Sequence, residues 1–240
     1  MVGLKSEGGL AYLTAEEMAE VDRTAIEDYG IDVVVLMENA GGASAALAMR
    51  MLGGEVAGKT ICCLVGKGNN GGDGMVAARH LSNWGATVQV ILAEERSALR
   101  DIPARQAAIL EKMGISIKGP GEDFSKAHLV IDALLGYGAR GNPKEPMASL
   151  IRLANISKRP MLAVDIPSGM DATTGEARNP CVRATATVTF GFPKTGFLSI
   201  ESRGLTGDLY LADISLPSKL YSTYAFPAGI FEKESLVKIR

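Results

Sequence analysis

The sequence predicts an α/β fold in which a mostly parallel central sheet carries helices on both faces. Three observations lead to that class. From residue 59 onward, short runs rich in Val, Ile and Leu alternate with stretches of helical periodicity, the pattern of strands joined by crossover helices. The chain has 240 residues, 47% of them hydrophobic, and a net charge of only -2, enough for one α/β domain with a filled core. A glycine-rich loop follows the first strand of the alternating region and opens a helix.

Residues 14–29 open with Thr14-Ala15-Glu16-Glu17, a capping box, and carry Met18, Val21, Ala25 and Tyr29 at helical spacing before Gly30. A second helix is predicted over 33–51, with Leu36, Ala40, Ala43, Leu47 and Met51 on one face and Gly53-Gly54 as its stop. Residues 13–52 thus form a helical N-terminal extension. Strands are expected at 60–65, 88–92, 115–117, 129–133 and 161–164, with helices at 74–84, 102–113 and 145–155. After Arg183, strands at 186–190 and 208–211 follow without a long helix between them, so the sheet should end in one or two differently connected strands. The domain is expected to span 1–216; residues 217–240, with Tyr221, Tyr224 and Phe226, are read as a loop-like tail or the start of a linker.

Composition narrows the function. Charges are mixed, with no basic run and few aromatics, which argues against a nucleic-acid partner. No apolar stretch reaches the roughly 18 to 20 residues of a membrane span, and the N-terminus lacks the order of a signal peptide, so a cytoplasmic protein is expected. Cys62 and Cys63 are adjacent on a strand, facing opposite ways, and are expected to be reduced core residues. His80 and His128 have no Cys or His at ligand spacing, which disfavours a zinc site.

The most informative stretch reads Gly66-Lys67-Gly68-Asn69-Asn70-Gly71-Gly72-Asp73-Gly74. Glycines let backbone N–H groups approach a ligand, while two amides and a carboxylate supply polar contacts at a helix mouth. Gly66-x-Gly68-x-x-Gly71 also matches the dinucleotide fingerprint, and Glu94 follows at about the expected 20 residues, so an NAD-dependent oxidoreductase is a rival reading. Against it, Asp73 would compete with a pyrophosphate for the positive end of the helix. Lys67 is followed by Gly68 rather than Ser or Thr, which excludes a P-loop.

Asp73, Asp132 and Asp165 each follow or close a predicted strand, and the carboxyl ends of strands form the ligand crevice of an open α/β sheet. Each lies beside a flexible loop: 68–74, 136–141, and Pro167-Ser168-Gly169. A single Asp at a strand end is often a cap or turn residue; three with glycine loops favour a shared site. Crowded carboxylates need a proton or a cation. Asn70, Asp132 and the Ser168 region offer oxygen ligands suited to K+, Na+, Mg2+ or Ca2+, while Arg140 and Lys194 are alternative sources of balancing charge or phosphate contacts.

With these residues assembled, the chain resembles the NAD(P)HX epimerase family, also called the YjeF N-terminal domain, over about residues 13–216. The resemblance rests on Met37-Glu38-Asn39-Ala40-Gly41, the loop from Gly66 through Gly74, Val130-Ile131-Asp132-Ala133-Leu134-Leu135-Gly136, Val164-Asp165-Ile166-Pro167-Ser168-Gly169, and Thr189-Phe190-Gly191-Phe192-Pro193-Lys194. Any one of these motifs is weak, whereas five in order are specific. The resemblance implies a Rossmann-like three-layer sandwich that interconverts the R and S forms of hydrated NADH or NADPH, a repair step ahead of a stereospecific dehydratase. It implies substrate contacts from Asn69, Asn70, Gly71, Gly72 and Asp73, from Gly136, Tyr137, Gly138, Ala139, Arg140, Gly141 and Asn142, and from Asp165. It also implies K+ held by Asn70, Asp132 and Ser168.

In such a hydrate the hydroxyl-bearing carbon adjoins the ring nitrogen, so inversion needs C–O or C–N cleavage and re-formation, not oxidation. Asp165 is expected to shuttle the proton, with Lys194 as a second acid or phosphate contact. Related domains also occur as non-catalytic binding modules, and the intact glycines, amides and carboxylates here favour the enzyme. The family further implies a homodimer and, in many members, fusion to or partnership with a dehydratase domain.

Overall fold

The computed structural model describes residues 5–7, 9–224, 226–227 and 229–240; positions 1–4, 8, 225 and 228, which fall within the expected domain and tail, lie outside the described residues. The chain opens with a two-stranded antiparallel hairpin, β1 (Lys5–Glu7) and β2 (Leu10–Tyr12). Helix α1 (Ala15–Arg23) starts at the expected capping box: Glu17 N donates to Thr14 Oγ1 at 3.2 Å and Thr14 N donates to Glu17 Oε2 at 2.8 Å. A wide helical turn, Thr24–Asp28, ends it. Helix α2 (Val33–Met51) is capped by Asp32, whose side chain accepts from Val34 N at 2.8 Å.

The alternating region follows as β3 (Thr60–Val65), α3 (Asn69–Asn83), β4 (Thr87–Leu92), α4 (Asp101–Lys112), β5 (Ser116–Lys118), β6 (Leu129–Ala133), α5 (Met147–Ser157), β7 (Met161–Val164) and β8 (Ala186–Phe190). A short α6 (Arg203–Thr206), β9 (Asp208–Ala212), α7 (Ser218–Thr223) and β10 (Leu236–Lys238) complete the chain. The eight-stranded sheet has the order β10-β9-β8-β7-β6-β3-β4-β5 and is parallel except for β9 with β10. Counted from β3, strands β5-β4-β3-β6-β7-β8 follow the Rossmann order 3-2-1-4-5-6. The order reverses between β3 and β6, where loops leave in opposite directions and open a crevice.

Alternation along β3 sorts its side chains to the two faces. Ile61, Cys63 and Val65 join a core with α2, α3 and α4, whereas Cys62 and Leu64 join Phe124, Leu150 and Ile151 on the other side. Both thiols are buried and free, and loss of solvation pushes the Cys62 thiol up to about 12. Helix α2 packs along α3 at the closest possible range, since a Cβ on Gly41 would lie 2.4 Å from Val76 Cβ. No described helix is long and apolar enough to cross a membrane.

The last segment departs from the loop-like expectation. Tyr221, Tyr224 and Phe226 pack with ring centroids 5.0, 5.4 and 5.0 Å from that of buried Phe192, and β10 adds an antiparallel edge to β9. Aromatic burial of this kind supplies the stabilisation that periodicity did not announce.

Candidate active site

Helix α3 begins at Asn69, five residues ahead of the expected Gly74, so most of the glycine loop is helix. Glycine costs roughly 1 kcal/mol per position in a helix, and the packing explains why it is used. A Cβ on Gly71 would sit 1.9 Å from the Gly66 carbonyl oxygen, one on Gly66 2.0 Å from the Leu134 oxygen, and one on Gly74 2.4 Å from Ala133 Cβ. On the other side of the helix, Gly72 lies where a Cβ would meet Met37 Cε at 2.4 Å. Gly66 lets the preceding loop lie against Leu134, while Gly71, Gly72 and Gly74 press α3 onto β3, β6 and α2; none of the four lines the pocket. The ligand-facing part of the motif is Gly68, Asn69, Asn70 and Asp73, which line a pocket of about 550 Å³ at the reversal point of the sheet. No side chain caps this helix end, at the rim of the cavity.

Asp165 leaves β7 with φ 69°, a left-handed conformation that a non-glycine residue adopts at a cost of order 1–3 kcal/mol. The turn aims its carboxylate back into the crevice. There Asp165 Oδ1 is 2.7 Å from Lys194 Nζ, and Oδ2 accepts from Tyr137 N at 2.8 Å. Lys194 is only 1% exposed and also donates to Thr189 Oγ1 at 2.9 Å. A buried ion pair of this kind is costly to break from one side, about 3–5 kcal/mol. The Tyr137 ring centroid lies 5.6 Å from Lys194 Nζ, and the phenol donates to Asp22 Oδ2 at 2.6 Å.

Asp73 differs from Asp165 in having no hydrogen-bonding or ionic partner among the described residues. Lost solvation raises its carboxyl well above the ordinary range, the charges of Asp165 and Asp22 raise it further, and Lys194 opposes them. Burial also raises Asp22, against the phenol of Tyr137 and Lys194. Burial thus favours the protonated form of Asp73 next to the Asp165–Lys194 pair.

Asp132 is fully buried under the same loops. Its Oδ1 accepts from Ser168 Oγ at 2.6 Å and Leu134 N at 3.3 Å, and its Oδ2 accepts from Ser168 N at 2.8 Å. Burial pushes its carboxyl up to about 6 in spite of these donors. Ser168 Oγ in turn accepts from Leu135 N at 2.9 Å, tying this centre to the 134–137 loop. Asn70 reaches the same loop: a Cβ on Gly136 would be 3.1 Å from Asp165 Oδ2 and 3.3 Å from Asn70 Cβ. Both polar atoms of the Asn70 amide are buried without a hydrogen-bond partner among the described residues. Among the described residues, no group of three or more His, Cys, Asp and Glu is arranged to hold a metal.

The structure brings Asn69, Asn70, Asp73, Gly136, Tyr137, Gly138, Ala139, Asp165 and Lys194 to one cavity wall. Asp132 and Ser168 form the layer beneath, and Gly71 and Gly72 are packed inside α3. Arg140, Gly141 and Asn142 do not line the cavity; the Arg140 guanidinium donates to the Tyr137 and Ala139 carbonyls at 3.3 Å, and Asn142 Oδ1 accepts from Asn179 N at 3.1 Å. Glu94, the acid of the dinucleotide fingerprint, is taken up by Lys67 at 2.9 Å. Sequence reading missed Asp22 and the cations Lys67 and Arg100 at the pocket wall. A signal for Asp22 existed: it is an acidic residue set among the apolar positions Met18 and Val21 of α1 and Ala25 of the turn that follows.

Residues 33–196 match the family described as YjeF-related protein N-terminus. The chain is 41% identical over 223 residues to the bifunctional NAD(P)H-hydrate repair enzyme Nnr of Moorella thermoacetica, covering 89% of this chain but 42% of that enzyme. It is 37% identical over 211 residues to the NAD(P)H-hydrate epimerase of Dehalogenimonas lykanthroporepellens, covering 88% and 84% of the two chains. It therefore spans less than half the length of the bifunctional relative and most of the epimerase. The crystal structure of yeast ynu0 superposes with a TM-score of 0.83 at 24% identity, covering 96% of this chain and 100% of that one, and so shares the fold. On the extent of the family match and of these identities, the chain belongs to the YjeF-related protein N-terminus family.

Proposed function

We propose that this chain is an NAD(P)H-hydrate epimerase that interconverts the R and S hydrates of NADH and NADPH. The observation that carries the reading is a crevice in which Asp73, without a partner among the described residues, lies beside an Asp165–Lys194 ion pair. Nucleotide binding alone needs no such acid and base pair.

The chemistry follows from the residues. Asp73, its carboxyl raised by burial, protonates the hydroxyl on the carbon beside the ring nitrogen. The C–O bond breaks, the nitrogen lone pair forms a C=N+ bond, and water leaves. Water then adds to the opposite face and gives a proton to Asp165. Nothing is oxidised, and proton exchange through the open mouth resets the two carboxyls. A cationic intermediate suits a pocket lined by the Asp165 carboxylate, whereas a ring-opened aldehyde would gain nothing from it. Lys194, 2.7 Å from Asp165 Oδ1, orients the carboxylate that receives the proton. Lys67, Arg100 and the first turn of α3 are placed to meet the phosphates.

Asn70, Asp132 and Ser168 fit a K+ ion: an orphaned buried amide oxygen, a buried carboxylate without a cationic partner and a hydroxyl converge on one loop. Bound there, K+ would supply charge compensation to Asp132 and order to residues 134–137. The same reading extends to a cytoplasmic homodimer working beside, or fused to, a dehydratase, which analytical ultracentrifugation tests for the dimer. The activity is tested by incubating a single NADHX epimer with the purified chain and following the R-to-S ratio by chromatography. Approach to an equilibrium mixture supports the proposal; an unchanged ratio with ligand bound supports a non-catalytic binding module, and NADH oxidation of test substrates would support an oxidoreductase.

A further inference from the structure

We infer that Asp22, on the N-terminal helix α1, is a positioning residue for the reaction, acting through the phenol of Tyr137. The inference rests on the epimerase reading, but its geometry is independent of it. Tyr137 touches both halves of the ion pair: its N–H donates to Asp165 Oδ2 at 2.8 Å, and its ring centroid lies 5.6 Å from Lys194 Nζ. Whatever fixes Tyr137 therefore fixes the carboxylate and the ammonium together. What fixes it is the 2.6 Å hydrogen bond from its hydroxyl to Asp22 Oδ2. That bond joins a loop at the carboxyl end of β6 to a helix 115 residues away in sequence, outside the 33–196 stretch that matches the family.

Stability alone does not account for an acidic side chain here. Asp22 lies on the same face of α1 as buried Met18, Val21 and Ala25, where an aliphatic residue would contribute burial at no desolvation cost. Instead it lines the pocket, at the cost of placing a third carboxyl near Asp73 and Asp165. The gain is a loop held in one orientation. Displacement of a reacting group by about 1 Å can lower a rate by as much as 10²-fold, so the anchor acts on turnover more than on binding.

The test measures kcat and KM for epimerisation of NADHX by the wild type, Asp22→Ala, Asp22→Asn, Tyr137→Phe and the Asp22→Ala/Tyr137→Phe double variant, with thermal melts of each. The expected result is a fall in kcat of roughly 10- to 100-fold for Asp22→Ala and Tyr137→Phe, with KM within about threefold. The double variant should be no worse than the worse single. Asp22→Asn, which keeps an acceptor for the phenol, should recover most of the rate. Should Asp22→Ala fail to fold, Tyr137→Phe, which deletes only one hydroxyl, carries the test alone. Unchanged kcat in Tyr137→Phe, additive losses, or an Asp22→Asn as impaired as Asp22→Ala would overturn the inference. A wild type that does not epimerise at all would instead overturn the activity. The positioning role would then be read by tryptic cleavage at Arg140, which Tyr137→Phe should accelerate; an unchanged rate would contradict it.

Discussion

The crevice has a closed floor and an open mouth, and they use the same residue types for different ends. On the floor, Asp132 is fully buried and accepts three hydrogen bonds, while Gly66, Gly71 and Gly74 sit where any side chain would collide with backbone or Ala133. At the mouth, Asp73 has no partner among the described residues and Asp165 is held in a left-handed turn against Lys194, while a Cβ on Gly68 or Gly138 would meet nothing within 4 Å. A group satisfied in place belongs to the fold. A group left unsatisfied at a cavity wall is available for chemistry.

Removing Lys194 should give the largest effect. Lys194→Met leaves Asp165 buried without its ammonium, and denaturant titration should show a loss of about 3–5 kcal/mol, with epimerisation abolished. A loss under 1 kcal/mol would mean that the pair is solvated and the mouth no different from a surface.

The floor responds to pH and salt. The folded-state value of Asp132, about 6, lies above its ordinary 3.8, so the folded chain holds this proton more tightly than the unfolded one. Its contribution is therefore present below about 3.8 and lost as pH rises through about 6, an amount of about 3 kcal/mol. A bound cation favours the carboxylate and opposes that loss. At pH 7.5, KCl should raise the melting temperature relative to tetramethylammonium chloride, and Asp132→Asn should remove the difference. Equal melting in the two salts would remove K+ from the floor.

The glycines sharpen the contrast at smaller scale. Gly74→Ala should cost about 1–3 kcal/mol in chemical denaturation, because a Cβ there lies 2.4 Å from Ala133 Cβ. Gly138→Ala should shift stability by no more than about 0.5 kcal/mol. Equal effects at the two positions would erase the distinction between floor and mouth.

The same contrast explains what the sequence made legible. Strands β3, β6, β7 and β8 were read at their observed limits because buried parallel strands are continuous apolar runs bounded by turns. The three aspartates were placed at the strand ends for the same reason. The start of α3 was read five residues late, since five glycines between 66 and 74 signal a loop, and only tertiary packing against Met37, Ala133 and the Gly66 backbone makes Gly71, Gly72 and Gly74 helix. The terminal segment was read as loop-like, since its aromatics have no period and are organised by Phe192, distant in the chain. Asp22 was missed because its role depends on a phenol 115 residues away.

The central claim is that Asp73, whose carboxyl burial raises well above the ordinary range, works with Asp165 at the mouth to invert a hydrated nicotinamide. Its most direct test is the initial rate of R-to-S interconversion of a single NADHX epimer by wild type and Asp165→Asn, each first shown to fold and bind ligand. The expected result is wild-type conversion with a loss of about 10²- to 10⁴-fold in the variant. A folded, ligand-binding Asp165→Asn that epimerises at the wild-type rate would contradict it.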